Sequence, residues 1–349
     1  MQQNKKNNSR LPYVLLSVML VASLVLSQPS VAERGHRTLA SDSLVTDTAT
    51  VDTLVADTAA ADTVVLNQEI WPCVTVGASM PKSFRARKTN VISRSDSLQA
   101  VFDTLCTSGR PLRVLHLGDS HVAGKTFPMT IKAELEAAWG VSFNDTTGHG
   151  IQYSYMAKNG ATATSFLTDA RMQLVEEKQP DLLILSFGTN ECHGMGYKET
   201  LHEQELDEVI GRLRSHCPKA KMLLTTPPGD YLTTRRVTYP VNKQTGKRQR
   251  VVRRYKKPNP MSARCATLLD KYGEEKGLAV WNLNAIAGGA TAVQNWIAAR
   301  MMRNDRIHFT PAGYALQGRL FSEALLTAYN DYINAHNAAV ATNAHPIEN

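Results

Sequence analysis

From about Ser95 onward, apolar positions fall into two kinds of run that alternate along the chain. Leu112 to Leu117 reads as a strand, and the further runs Leu182 to Phe187, Met222 to Thr226 and Leu278 to Leu283 are short and lack polar alternation, as strands covered on both faces do. Stretches near Ser95 to Cys106, Met129 to Trp139, Glu199 to His216, Met261 to Glu275, Ala290 to Met302 and Pro311 to Ala335 read as helices. Strands alternating with helices make βαβ units, so the pattern predicts an α/β fold, a three-layer α/β/α sandwich with a central parallel sheet. Such sheets bind ligands beyond the carboxyl ends of their strands, and chemistry is therefore to be sought in the residues that follow each apolar run.

Upstream the pattern differs. Lys5, Lys6 and Arg10 precede an uncharged run from Leu11 to Ala32, its apolar core Val14 to Leu26, and Ser30-Val31-Ala32 would suit a signal peptidase. Residues 1–32 are expected to be a signal peptide. The alternative is an uncleaved anchor, although the apolar core is shorter than the ~20 residues a spanning helix needs. Both place the rest outside the cytoplasm, in the periplasm or against the cell envelope. A five-residue repeat follows, Asp42, Asp47, Asp52, Asp57 and Asp62 each preceding Ser or Thr, which makes residues 33–66 a low-complexity linker. Residues 67–94, with Trp71, Cys73, Arg85, Arg87 and Lys88, read as an amino-terminal arm able to pack on a domain spanning 95–338. That domain carries an insertion at 231–258, and 339–349 form a tail.

Four segments carry candidate chemistry. Leu117-Gly118-Asp119-Ser120-His121 puts Ser120 on a strand-to-helix turn, where its hydroxyl and its backbone N–H open to the same space. A serine there serves as a nucleophile or as a plain helix N-cap. Ser186-Phe187-Gly188-Thr189-Asn190-Glu191 brings the Asn190 amide to the same edge, as donor to a developing oxyanion or as an Asx turn. Between them, Asn159-Gly160-Ala161 offers backbone that can approach a ligand closely, a part for which Gly148 and Gly150 compete. Finally, Asp305-Arg306-Ile307-His308-Phe309-Thr310-Pro311 places Thr310 as N-cap and Pro311 at the first helical position, leaving His308 on the preceding loop. Asp305 is near enough in sequence to orient that imidazole, as a general base requires; the alternative is a surface loop with an unengaged histidine.

In this order and at these strand ends the four segments resemble the SGNH, or GDSL-type, hydrolases, over about Leu112 to Leu326. The resemblance implies the flavodoxin-like SGNH hydrolase fold, with Ser120 as nucleophile, His308 as general base and acid, and Asp305 as its orienting partner. It further implies an oxyanion hole made by the backbone N–H groups of Ser120 and Gly160 and the Asn190 side chain, and no metal or cofactor. Two positions depart from the family pattern: His121 stands for the usual Leu, and Glu191 for the more frequent Asp. The Gly-Asp-Ser-His form, with Asn-Gly-Ala and an export signal, is most similar to the branch of peptidoglycan O-acetylesterases and related O-acetyltransferases. The expected activity is removal of O-acetyl or other small acyl groups from a cell-envelope glycan, peptidoglycan foremost. Acetyl transfer by the same residues and a non-catalytic polymer-binding module are the rivals.

Composition changes the picture in two ways. Lys plus Arg number 39 against 31 Asp plus Glu, a charge of +8, yet residues 235–257 hold ten basic residues and no acidic one. The rest of the chain therefore carries 29 against 31, or −2, so the basicity is one patch rather than a coat for wrapping nucleic acid. The patch reads as a hairpin turning at Gln244 to Gly246 and returning through Val251 and Val252, or as a solvated loop. Because it follows Pro227-Pro228-Gly229-Asp230 at a strand's end, it is expected beside the same sheet edge. Arg235, Arg236, Lys247 and Arg248 are its candidate substrate-binding residues, for an O-acylated polysaccharide or peptidoglycan, with contact to a membrane surface as a further use. The export signal counts against nucleic acid. The five cysteines are odd in number and lack a CxxC pair, so neither a zinc site nor a dense disulfide framework is expected, and one or two disulfides stay open.

Overall fold

Residues such as Leu182-Leu183-Ile184-Leu185 have no polar position to turn toward water, and a strand made of them is stable only between two apolar layers. The computed structural model supplies both layers; it describes residues 69–77, 80–143 and 148–343. The expected signal peptide and linker lie outside the described residues, as do 144–147 and the last six positions of the tail. The described strands are β1 (Ile92–Ser93), β2 (Leu112–Gly118), β3 (Ile151–Ala157), β4 (Leu182–Ser186), β5 (Lys221–Thr225), β6 (Tyr231–Thr238), β7 (Val251–Pro258) and β8 (Ala279–Trp281). Six form one sheet in the order β1-β8-β5-β4-β2-β3, and β6 pairs with β7 alone. Leu112, Val114, Ile184, Leu223 and Trp281 point into one core, and Leu115, Leu117, Leu183, Leu185, Leu224 and Val280 into the other.

The helices are α1 (Gln99–Thr107), α2 (Ser120–Ala123), α3 (Thr126–Trp139), α4 (Asp169–Glu177), α5 (Thr189–Cys192), α6 (Glu199–His216), α7 (Pro260–Lys276), α8 (Leu283–Ile286), α9 (Ala292–Ala298) and α10 (Pro311–Asn343). Side chains of α1, α3 and α10 fill the first core, and those of α4, α6 and α7 the second. This is the α/β/α sandwich, with one correction: the sheet is mixed, since β1 runs antiparallel to β8 while the other pairings are parallel. Its register aligns Gly118 with Ala157 and Ser186, Ser186 with Thr225, and Thr225 with Trp281. The carboxyl ends of five strands thus lie along one rim. No helix among the described residues is long and apolar enough to cross a membrane.

Two elements differ from the sequence pattern for identifiable reasons. The helix expected over Ala290 to Met302 stops at Ala298, because Met302 forms a β-bridge with Phe309 that draws the intervening chain into a tight loop. The last helix continues past Ala335 to Asn343. Its asparagines hold the arm: the Asn330 amide accepts from Val74 N–H and donates to Val74 O, and Asn337 does the same with Trp71. Trp71 also stacks on His336 with ring centroids 3.5 Å apart. The basic segment is a hairpin whose register runs from Tyr231 opposite Pro258 to Thr238 opposite Val251. Asn242 closes its tip by accepting from Gln244 N–H and Thr245 N–H.

Candidate active site

Ser120 opens α2 directly after β2, and the turn between them is tight enough to exclude any side chain at Gly118. A Cβ there would lie 2.2 Å from Val122 Cγ2 and 3.1 Å from the Ser186 carbonyl oxygen. Asp119 caps the turn by accepting from His121 N–H at 2.8 Å. Burial pushes its carboxyl up to about 7, against the lowering effect of that bond and of nearby His308.

The loop between Met302 and Phe309 delivers His308 to the same rim. Its Nε2 lies 2.9 Å from Ser120 Oγ, and its Nδ1 lies 2.9 Å from Asp305 Oδ2. An ionised carboxylate only accepts, so Nδ1 carries the proton donated to Asp305 and Nε2 is left to accept from the serine hydroxyl. The other Asp305 oxygen accepts from the Ile307 and His308 backbone N–H groups, each at 2.9 Å. Partial burial alone would raise this carboxyl; those N–H groups and the imidazole outweigh it and hold it below its usual value. The chain can thus present a hydroxyl hydrogen-bonded to a base whose tautomer is set, the arrangement nucleophilic catalysis requires.

Asn190 lies in α5, beyond β4. Its Nδ2 donates to Ala161 O at 2.8 Å and, at a long 3.4 Å, to Asp119 Oδ2. The second proton is weakly held and can turn to a ligand. Gly160 adopts φ +71°, and its backbone N–H has no acceptor among the described residues, although open space would surround a Cβ. Its glycine therefore answers a backbone need rather than a steric one. Gly148 and Gly150 precede the amino end of β3, opposite the rim, and are not brought to the site. Glu191 ties the two loops together, accepting from Ala163 N–H and Gly188 N–H at 2.9 Å each.

Ser120, Gly160, Asn190 and His308 line a cleft of about 540 Å³ that also receives His193, Arg303 and Tyr314. The sequence reading missed His193 as a site residue; its only signal was its place three positions after Asn190. His121, at the departing position, is buried and packs 5.6 Å from the His308 ring. Its Nδ1 meets Tyr314 OH at 3.0 Å, while burial pushes its pKa down to about 3 and keeps it neutral. Arg235, Arg236, Lys247 and Arg248 do not line the cleft. The hairpin instead braces the loop below it: Tyr231 N–H donates to Arg306 O at 2.9 Å, Lys256 Nζ donates to Asn304 O, and the Arg306 guanidinium lies 5.7 Å over the Tyr231 ring. All five cysteines are free thiols, three of them buried.

The GDSL-like Lipase/Acylhydrolase family matches residues 116–316. No curated protein sequence matches the chain. Among solved structures it is similar to a peptidoglycan O-acetylesterase at 16% identity and a TM-score of 0.50, over 72% of this chain and 98% of that one. A lipase/acylhydrolase from Enterococcus faecalis is similar at 15% identity and a TM-score of 0.42, over 62% and 96%. The likeness to the peptidoglycan O-acetylesterase, at that identity, is one of fold.

Proposed function

This chain belongs to the GDSL-like lipase/acylhydrolase family and is an ester hydrolase, and from that premise we propose that it is an exported serine esterase removing O-acetyl groups from a cell-envelope glycan, peptidoglycan being the substrate. The observation that carries the catalytic part is the relay from Ser120 Oγ through the His308 ring to Asp305, each link 2.9 Å long. Ser120 attacks the ester carbonyl while His308 takes its proton; the backbone N–H groups of Ser120 and Gly160 and one Asn190 N–H hold the negative oxygen. As the tetrahedral species collapses, the ester C–O bond breaks, His308 returns the proton to the departing sugar oxygen, and the acetyl group remains on Ser120 as an ester. Water, deprotonated by the same imidazole, then releases it as acetate. Asp305 stays ionised throughout and stabilises the transient imidazolium, which its lowered pKa favours.

The substrate part rests on the Gly-Asp-Ser-His and Asn-Gly-Ala blocks, on the export signal and on the basic hairpin, which suits an anionic polymer. Acetate release from O-acetylated peptidoglycan, with acetylated xylan beside it, tests both parts. Wild type is expected to prefer peptidoglycan, and Ser120→Ala to lose at least about 10⁴-fold on either substrate. A preference for xylan would remove the peptidoglycan assignment and keep the esterase; undiminished hydrolysis by Ser120→Ala would remove the mechanism.

A further inference from the structure

Lining the same cleft as His308 is a second imidazole held in the same manner. His193 Nδ1 is hydrogen-bonded to Asp230 Oδ2, while the other oxygen of that carboxylate accepts from Asn259 Nδ2 at 2.8 Å and from Ser262 Oγ. Asp230 is 2% exposed and the His193 side chain 37%. A buried carboxylate is costly unless its hydrogen bonds are met, and one oxygen here is committed to an imidazole that faces the cleft. The carboxylate sets the tautomer, with Nδ1–H toward Asp230, so Nε2 is directed away from it. His193 has no place in the chemistry at Ser120, which has its own base.

We propose that His193, oriented by Asp230, is the residue that binds a hydroxyl of the substrate's sugar and so selects a glycan ester over a simple one. A sugar hydroxyl can both donate to a bare Nε2 and accept from a protonated one, so the contact holds in either state of the ring, whereas an aryl acetate offers no such group. His193 is then a specificity determinant contributed by the segment after α5, and Asp230 a positioning residue contributed by the root of the hairpin. The inference rests on the esterase reading above, and its test separates the two.

The experiment compares kcat/KM for 4-nitrophenyl acetate with kcat/KM for acetate release from O-acetylated peptidoglycan and acetylated xylan, in wild type, His193→Ala and His193→Gln, with Ser120→Ala alongside. On a glycan that wild type deacetylates, His193→Ala is expected to lower the glycan-to-aryl ratio about tenfold, the size of one lost hydrogen bond, through KM more than kcat. His193→Gln, which keeps a side-chain donor and acceptor, is expected to restore part of the ratio. A fall of equal size on both substrates would mean that His193 only neutralises Asp230, and an unchanged ratio would make it a bystander; either overturns the proposal. Wild type that hydrolyses the aryl ester but neither glycan overturns it as well. Activity surviving in Ser120→Ala strikes at the esterase mechanism instead.

Discussion

The Asn190 amide has one proton committed to Ala161 O and the other only 3.4 Å from Asp119 Oδ2, so one donor is fixed as a hinge and one is free to follow charge. If that free donor meets the oxyanion, Asn190→Ala lowers kcat by about 10²- to 10³-fold and leaves KM nearly unchanged; steady-state kinetics on an aryl ester decide it, and a loss confined to KM speaks against the role. The positions of Ser120, Asn190, Asp305 and His308 relative to the strands were legible because each follows an apolar run or precedes a Thr-Pro helix start, signals confined to a few residues. His193 and Asp230 were not, since they are distant in sequence and meet only through the approach of α5 to the start of α7. The tuning of Asp119 was equally hidden: its carboxyl is displaced by burial, and burial is a property of the assembled fold.

Glu191 shows the same dependence one level up. Its two oxygens accept from Gly188 N–H and from Ala163 N–H, so it ties the start of α5 to the 3₁₀ turn Ala163–Phe166 that follows Gly160. Glu191→Gln sets an NH2 group against one of the two N–H donors, and should cost about 1–3 kcal/mol in urea unfolding while lowering kcat, because α5 carries Asn190. An unfolding midpoint equal to that of wild type would show that the tie contributes nothing. Among the elements, β4, β5 and β8 were legible as apolar runs, and β2 as a strand despite Arg113 and His116. β3 was not, because Gln152 and Ser154 interrupt an edge strand in which Ile151 and Tyr153 alone are fully buried. β1 spans two residues and is held mainly by its pairing with β8, leaving no periodicity to read. The end of α9 depended on the Met302–Phe309 bridge, a contact no local propensity contains.

For the molecule as a whole, charge and shape divide the labour. The hairpin sets Arg235 opposite Arg254 and Arg236 opposite Arg253, and none of its ten basic residues pairs with a carboxylate among the described residues. Like charges facing each other across a ladder destabilise it, so an anionic polymer would relieve a repulsion as it docks. The Arg235→Gln, Arg254→Gln double variant is expected to sediment less with peptidoglycan at low salt and to show a flatter salt dependence. Binding as tight as wild type at every ionic strength would rule out this surface. The hairpin's existence was legible as a local excess of charge; its bracing of the Asp305–His308 loop through Tyr231 and Lys256 was not. The last helix has a consequence of another kind. It starts three residues after His308 and holds Trp71 at Asn337, about 39 Å further along its axis at 1.5 Å per residue. A bead or resin coupled ahead of Glu69 would therefore grip the protein far from the mouth of its cleft, leaving it open to an insoluble wall fragment too large to diffuse.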